Sequence, residues 1–169
     1  MHEMSAVSHT GRIVQLNVSP GGVPKRAVDV ARVSAEGLEG DLHAYVHHGG
    51  PDRALCLFAI EQIRALVAEG HRLIPGSIGE NVTLEGIEWS VVAPGTRWRL
   101  GERVVIEVTR YTSPCTKITA CFTDGDVSRV SQKHHPGWSR VYARVLTEGI
   151  IRRDDPVMIL AGGGTDALP

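Results

Sequence analysis

Apolar and polar residues alternate with a period of two in several short stretches of this 169-residue chain. In residues 11–18 (GRIVQLNV), Ile13 and Gln15 fall opposite Val14 and Leu16, and residues 27–34 (AVDVARVS) place Val28, Val30 and Arg32 on one face. The same period recurs in residues 96–100, 103–110 and 139–147, with shorter apolar runs at 82–84 and 157–160. Each stretch predicts a strand, because a side-chain period of two presents one face to a core. Residues 54–58 (ALCLF) are continuously apolar, as a strand buried on both faces is. They pass into residues 60–69 (IEQIRALVAE), where Ile60, Ile63, Leu66 and Val67 have helical spacing and Gly70 stands at the C-cap. Residues 118–122 and 127–133 predict short helices around an Asp124-Gly125 turn.

Many short strands, few helices and abundant Gly predict a mostly β fold, a closed or nearly closed β-barrel with a few short covering helices. Closure removes exposed strand edges. A doubly wound parallel sheet is excluded: strands and long helices do not alternate, and neither G-x-G-x-x-G nor G-x-x-x-x-G-K is present. One domain is expected over residues 11–160, with residues 1–10 as a flexible leader and residues 161–169 (AGGGTDALP) as a flexible tail.

Charge and cysteine usage narrow the setting. Eighteen Lys and Arg against nineteen Asp and Glu give a formal charge of −1, which does not suggest a nucleic-acid surface. No apolar run reaches the length of a membrane span, and the leader has no signal-peptide core. The cysteines Cys56, Cys115 and Cys121 are odd in number and form no C-x-x-C, as expected of reduced thiols in the cytoplasm.

Residues 104–119 (VVIEVTRYTSPCTKIT) carry the sharpest chemical signal. Val104, Ile106 and Val108 define a strand face, Pro114 ends the ladder, and Cys115 falls where the backbone turns. A thiol beside helix-opening N–H groups and Lys117 is placed to act as a thiolate, a nucleophile and a soft metal ligand. The alternative is a small buried hydrophobe. Residues 36–53 form a long Gly- and His-rich loop, and a loop of that length inside a compact domain is usually functional. His43 and His47 have the i, i+4 spacing of zinc ligands, although Gly49, Gly50 and Pro51 oppose a regular helix there. Cys115 paired with His47 or His48 would make a papain-like nucleophile. The loop Gly76-Ser-Ile-Gly79-Glu80-Asn81 reads either as a polar wall or as a tight turn tied down by Asn81. Cys56 reads as core, and Cys121 as core or as a resolving thiol.

Four blocks in order, GLEGDLHAYVHHGGPDRALCLF, PGSIGENVTLEGIEW, TRWRLGERVVIEVTRYTSPCTKI and GWSRVYARVLTEGII, resemble the MOSC domain, named for the C-terminal domain of molybdenum-cofactor sulfurases. The resemblance implies a barrel whose Pro-Cys cysteine ligates the molybdenum of a pterin cofactor or carries sulfur as a persulfide. It also implies reduction of N-hydroxylated small molecules. Position by position, Cys115 matches the family cysteine as catalytic residue and metal ligand. Asp41, His47, His48, Gly49, Asp52 and Arg53 match the His-Gly-Gly block, and Gly79, Glu80 and Asn81 the Gly-Glu-Asn block, as cofactor-binding positions. Phosphate donors are expected at Arg53 and Lys117 from the chemistry of the ligand. No sulfurase aminotransferase-like, flavin or iron–sulfur module accompanies these blocks, so electrons or sulfur are expected from a separate donor protein. A sulfur carrier and a non-catalytic small-anion binding module remain the alternatives to a molybdenum-cofactor reductase component.

Overall fold

The structure is a computed structural model that describes residues 10–42 and 50–160. Eleven strands and one α-helix follow in order: β1 (Thr10–Val18), β2 (Arg26–Val28), β3 (Val30–Ser34), β4 (Gly37–Leu38), β5 (Leu55–Ala59), α1 (Ile60–Ala68), β6 (Val82–Glu85), β7 (Arg97–Leu100), β8 (Val104–Tyr111), β9 (Val141–Thr147), β10 (Gly149–Arg152) and β11 (Pro156–Ile159). Strands β11, β7, β8, β9, β5, β6 and β1 pair in that order, and β1 returns to β11, which closes a seven-stranded barrel. The predicted barrel is therefore present and fully closed. Strand β2 extends β1 on the outside, and β10, β3 and β4 form a separate small sheet. Strands β5 and β6 run parallel, as a strand pair linked by a crossover carrying α1 can.

The period-two pattern explains the barrel interior. Val104, Ile106 and Val108 of β8 are buried while Val105, Glu107 and Thr109 are half-buried. Leu55 and Leu57 of β5 face the buried Ala143 and Val141 of β9. Trp98 and Phe58 are fully buried, and both meet Trp89 edge-on, at 6.1 and 6.0 Å between ring centroids. The Trp89 Nε1–H donates to the Ser139 carbonyl at 2.6 Å, which satisfies its one polar atom. Burying each such side chain contributes roughly 1.5–3 kcal/mol. In α1, Ile60, Ile63 and Leu66 point inward, whereas Val67 stands 47% exposed on the outer side. Gly70 has φ of +104°, the left-handed turn expected at that helix end. No helix of the described residues is long and apolar enough to cross a membrane.

Several expectations change. The stretch 27–34 is two strands, because the chain leaves β1 for the small sheet at Asp29, whose carbonyl accepts from the Arg153 amide at 2.9 Å. Val30 and Arg32 do share a face, but it is the outer one, and Ala31 and Val33 are buried. The short helices after Cys115 are 3-10 turns, Thr116–Cys121 and Val127–Val130. Strand β1 begins at Thr10, one residue before the expected start of the domain. The long Gly- and His-rich loop contains a two-residue strand, β4, at its start and a 3-10 turn, Pro51–Arg53, at its end. Gly37 in β4 is required by close approach: its φ is +115°, and a Cβ there would lie 2.4 Å from the Ala54 carbonyl oxygen.

Candidate functional site

A cleft of about 330 Å³ lies against the outer face of strands β5, β9 and β8. Its floor is a row of residues in register. Cys56 in β5 is the Cα partner of Tyr142 in β9, and Tyr142 is the partner of Arg110 in β8. Their strand neighbours Leu55, Leu57, Val141 and Ala143 fill the barrel, so the row necessarily faces the other way. Asn81, at the head of β6, continues the row: its backbone N–H donates to the Cys56 carbonyl at 2.7 Å, and its side-chain Oδ1 accepts from the Cys56 N–H at 3.0 Å.

Cys115 reaches this cleft because Pro114 ends the strand pairing of β8. The cysteine is extended (φ −128°, ψ 169°) and caps the 3-10 turn that follows. Its side chain is exposed and lines the cavity, so the buried-hydrophobe alternative is set aside. The other two thiols differ. Cys56 is buried in the floor, and burial pushes its thiol up to about 11. Cys121 is half-buried, its thiol is also raised by burial, and its Sγ lies 3.8 Å from the Ser77 carbonyl oxygen.

The cleft is cationic. Lys25, Arg53, Arg110, Lys117 and Arg140 line it, and among the described residues no carboxylate does. Arg140 is only 7% exposed; its Nη1 donates to the Ile78 carbonyl at 2.5 Å, while its Nε has no hydrogen-bond partner. The Arg53 guanidinium lies over the Tyr142 ring, 5.6 Å from the centroid. The phenol of Tyr142 is held above its ordinary range, first by burial and then by the nearby Cys56.

Of the residues singled out in the sequence, Cys115, Arg53, Gly79, Asn81 and Lys117 meet at the cleft. Asp41, Glu80 and Asp52 do not line it. Asp41 stands behind the wall, its side chain 2% exposed: Oδ1 accepts from Lys25 Nζ at 2.6 Å and from the Ser19 N–H at 3.0 Å, and Oδ2 accepts from Asn81 Nδ2 at 2.9 Å. Glu80 is fully buried, with the Thr83 hydroxyl donating to Oε2 at 3.1 Å. Burial pushes its carboxyl above the ordinary range, against the smaller pull of the Gly76 and Glu80 backbone N–H groups. Asp52 faces solvent, 3.4 Å from Arg144. His43, His47, His48 and Gly49 lie outside the described residues. The tight-turn reading of the Gly-Glu-Asn loop accounts for Asn81, whose amide also donates to the Asn17 carbonyl at 3.3 Å.

Lys25, Arg110, Arg140 and Tyr142 went unrecognised in the sequence. Arg140 and Tyr142 do follow the alternation that buries Val141 and Ala143, a visible signal. Arg110 had none. Simple alternation would place it on the inward face of Val108, but a β-bulge sets Val108 opposite Ala143 and Arg110 opposite the adjacent Tyr142, and this re-aims the arginine.

The MOSC domain pattern matches residues 44–158. The protein YiiM of Escherichia coli (strain K12) is 32% identical over 149 residues, which are 84% of this chain and 65% of YiiM. A protein named Reductase from Gibberella moniliformis is 30% identical over 132 residues, 75% of this chain and 23% of that protein. The crystal structure of YiiM from Geobacillus stearothermophilus superposes with a TM-score of 0.70 at 25% identity, covering 89% of this chain and 75% of that one. The chain thus spans just under two thirds of the length of its Escherichia coli relative.

Proposed function

The chain belongs to the MOSC domain family, and on that premise we propose that it is a molybdenum-cofactor-binding reductase component for N-hydroxylated compounds, with Cys115 as the molybdenum ligand. The observation that carries this reading is the exposed Cys115 thiol in a cleft lined by five cations and, among the described residues, no carboxylate. The cavity volume lies within the range of small-ligand sites. A soft thiolate suits a sulfur-rich metal centre, and the cations suit the phosphate of a pterin. A single thiol fits a metal that arrives with its own organic ligand. The fungal relative's name is in keeping with a reductase.

When bound, the group supplies a two-electron redox centre. The residues of the chain do the rest. Cys115 would fix the group in the cleft, and Lys117 and Arg140 would balance its anionic charge. Asn81 holds the floor by bridging β5 and β6. The overall change, R–NHOH plus two electrons and two protons giving R–NH₂ and water, breaks the N–O bond. It draws its electrons from an external one-electron donor protein. Lys117, two residues beyond Cys115 and on the cleft wall, would hydrogen-bond the departing oxygen.

Molybdenum and pterin content of protein purified anaerobically from a cofactor-producing host tests this. Near-stoichiometric metal in the wild type and loss in Cys115→Ser is expected, with folding unchanged. Equal content in both rejects the ligand role. The exposure of Cys115 also favours a second reading, a sulfur carrier with a persulfide on that thiol. One added sulfur in the intact mass of the wild type, absent from Cys115→Ser, would select it.

A further inference from the structure

Arg110 and Tyr142, in the row that floors the cleft, carry hydrogen-bond donors that the fold does not use. Arg110 and Tyr142 are partners on adjacent strands, about 5 Å apart at Cα, and Arg53 stacks over the Tyr142 ring. All three side chains line the same cavity. Arg110 is exposed, and neither its guanidinium nor the Tyr142 hydroxyl bonds to a described residue. No carboxylate among the described residues lines the cavity. A neutral ligand seated there would strip water from two guanidinium groups and a phenol and return little. A carboxylate would accept from all three, and charge-assisted bonds of this kind are about twice as strong as neutral ones.

Exposure separates Arg110 from two of the cations that line the same cleft. Arg140 is buried at 7% exposure and Lys25 is held against Asp41, whereas Arg110 is exposed at the rim. We propose that Arg53, Tyr142 and Arg110 form a clamp for a carboxylate on the substrate, so that the N-hydroxylated compound reduced by this protein is a carboxylic acid. This deepens the reductase reading and rests on it for the reacting end of the substrate; the clamp itself does not need the metal.

Cofactor-free protein therefore provides the first test. Benzoate and benzamide are titrated separately at fixed ionic strength, followed by calorimetry and by amide chemical shifts. Benzoate is expected to bind about tenfold more tightly than benzamide. Arg110→Gln is expected to erase that preference with an unchanged circular-dichroism spectrum. Tyr142→Phe, which removes only the hydroxyl, should weaken benzoate severalfold and serves if the arginine variant fails to fold. Equal binding of the two ligands, or benzoate binding indifferent to both substitutions, overturns the clamp. Inorganic phosphate is titrated alongside: tighter binding than benzoate, lost in Arg110→Gln, would assign the row to a cofactor phosphate and overturn the substrate assignment.

The second test uses loaded protein with reduced methyl viologen as electron donor. The ratio of kcat/KM for 4-carboxybenzamidoxime over benzamidoxime should exceed about 10 and fall toward one in Arg110→Gln. Similar turnover of both compounds overturns the clamp and leaves the reductase reading standing. Turnover of neither rejects the reductase reading, and the benzoate titration alone then decides whether the clamp exists.

Discussion

Asp41→Asn is the substitution whose consequence the structure defines most fully. The carboxylate collects three donors, and its partner Lys25 is almost as buried, with side chains 2% and 9% exposed. Neutralising Asp41 keeps the shape but leaves the Lys25 ammonium without its anion in the cleft wall, and Asn81 and Ser19 lose the stronger acceptor. Breaking one side of a buried ion pair costs about 3–5 kcal/mol, a large part of the roughly 5–15 kcal/mol that holds a domain together. Lys25→Met alone should cost less, because Asp41 retains two neutral donors. In Lys25→Met with Asp41→Asn no unpaired charge remains, so the pair should cost at least about 2 kcal/mol less than the sum of the two single variants. Urea unfolding at neutral pH, with midpoints and slopes from two probes, measures all four corners of the cycle. Additivity within about 0.5 kcal/mol would refute the reasoning, since it would mean that the ammonium and the carboxylate do not depend on each other in the folded protein.

Two further outcomes follow from burial. Cys56, raised from 9.0 to about 11, stays protonated in the folded state where the unfolded chain has released its proton. Its contribution is thus intact below pH 9 and is lost as pH rises from 9 toward 11, by up to about 3 kcal/mol. The stability difference between wild type and Cys56→Ala should shrink over that window, and a constant difference would contradict it. Glu80 is also raised by burial, so its contribution is complete below about pH 4.5, the ordinary glutamate value, and declines as pH rises through its folded value. Glu80→Gln should then stabilise the protein at pH 7 and gain nothing at pH 4, as unfolding midpoints at the two pH values would report.

The strands that surround the core were legible because one face of each is buried, which writes a period of two into the sequence. β8 and β9 are the clearest cases, and Pro114 followed by Cys115 marked the place where a strand delivers a thiol to a loop. β4 has two residues and β10 four, too short for a period to show. The exposed Val30 and Ile150 lie on the outer face of the small sheet, where an apolar residue misreports its side. The site was legible in part. Arg53 and Lys117 stand beside recognisable motifs, but Lys25 gains its meaning only from Asp41, sixteen residues further along. Arg110 depends on a bulge, a feature of pairing between strands that one strand's sequence does not contain. Glu80 and Asp41 carry the charge of binding residues yet serve the wall, a distinction set by tertiary burial.

Barrel closure through β1 and β11 also determines how the domain would respond to force. The register pairs Thr10 with Met158 and Gly11 with Val157, antiparallel, so the two ends of the described fold emerge side by side from one seam. A load applied between them would act across the strands rather than along them, breaking the ladder like a zipper, one rung at a time, instead of shearing all its rungs together. The seam that closes the barrel is therefore also its weakest direction under tension, and mechanical unfolding would begin there while the β8–β9 pair behind the cleft is still intact.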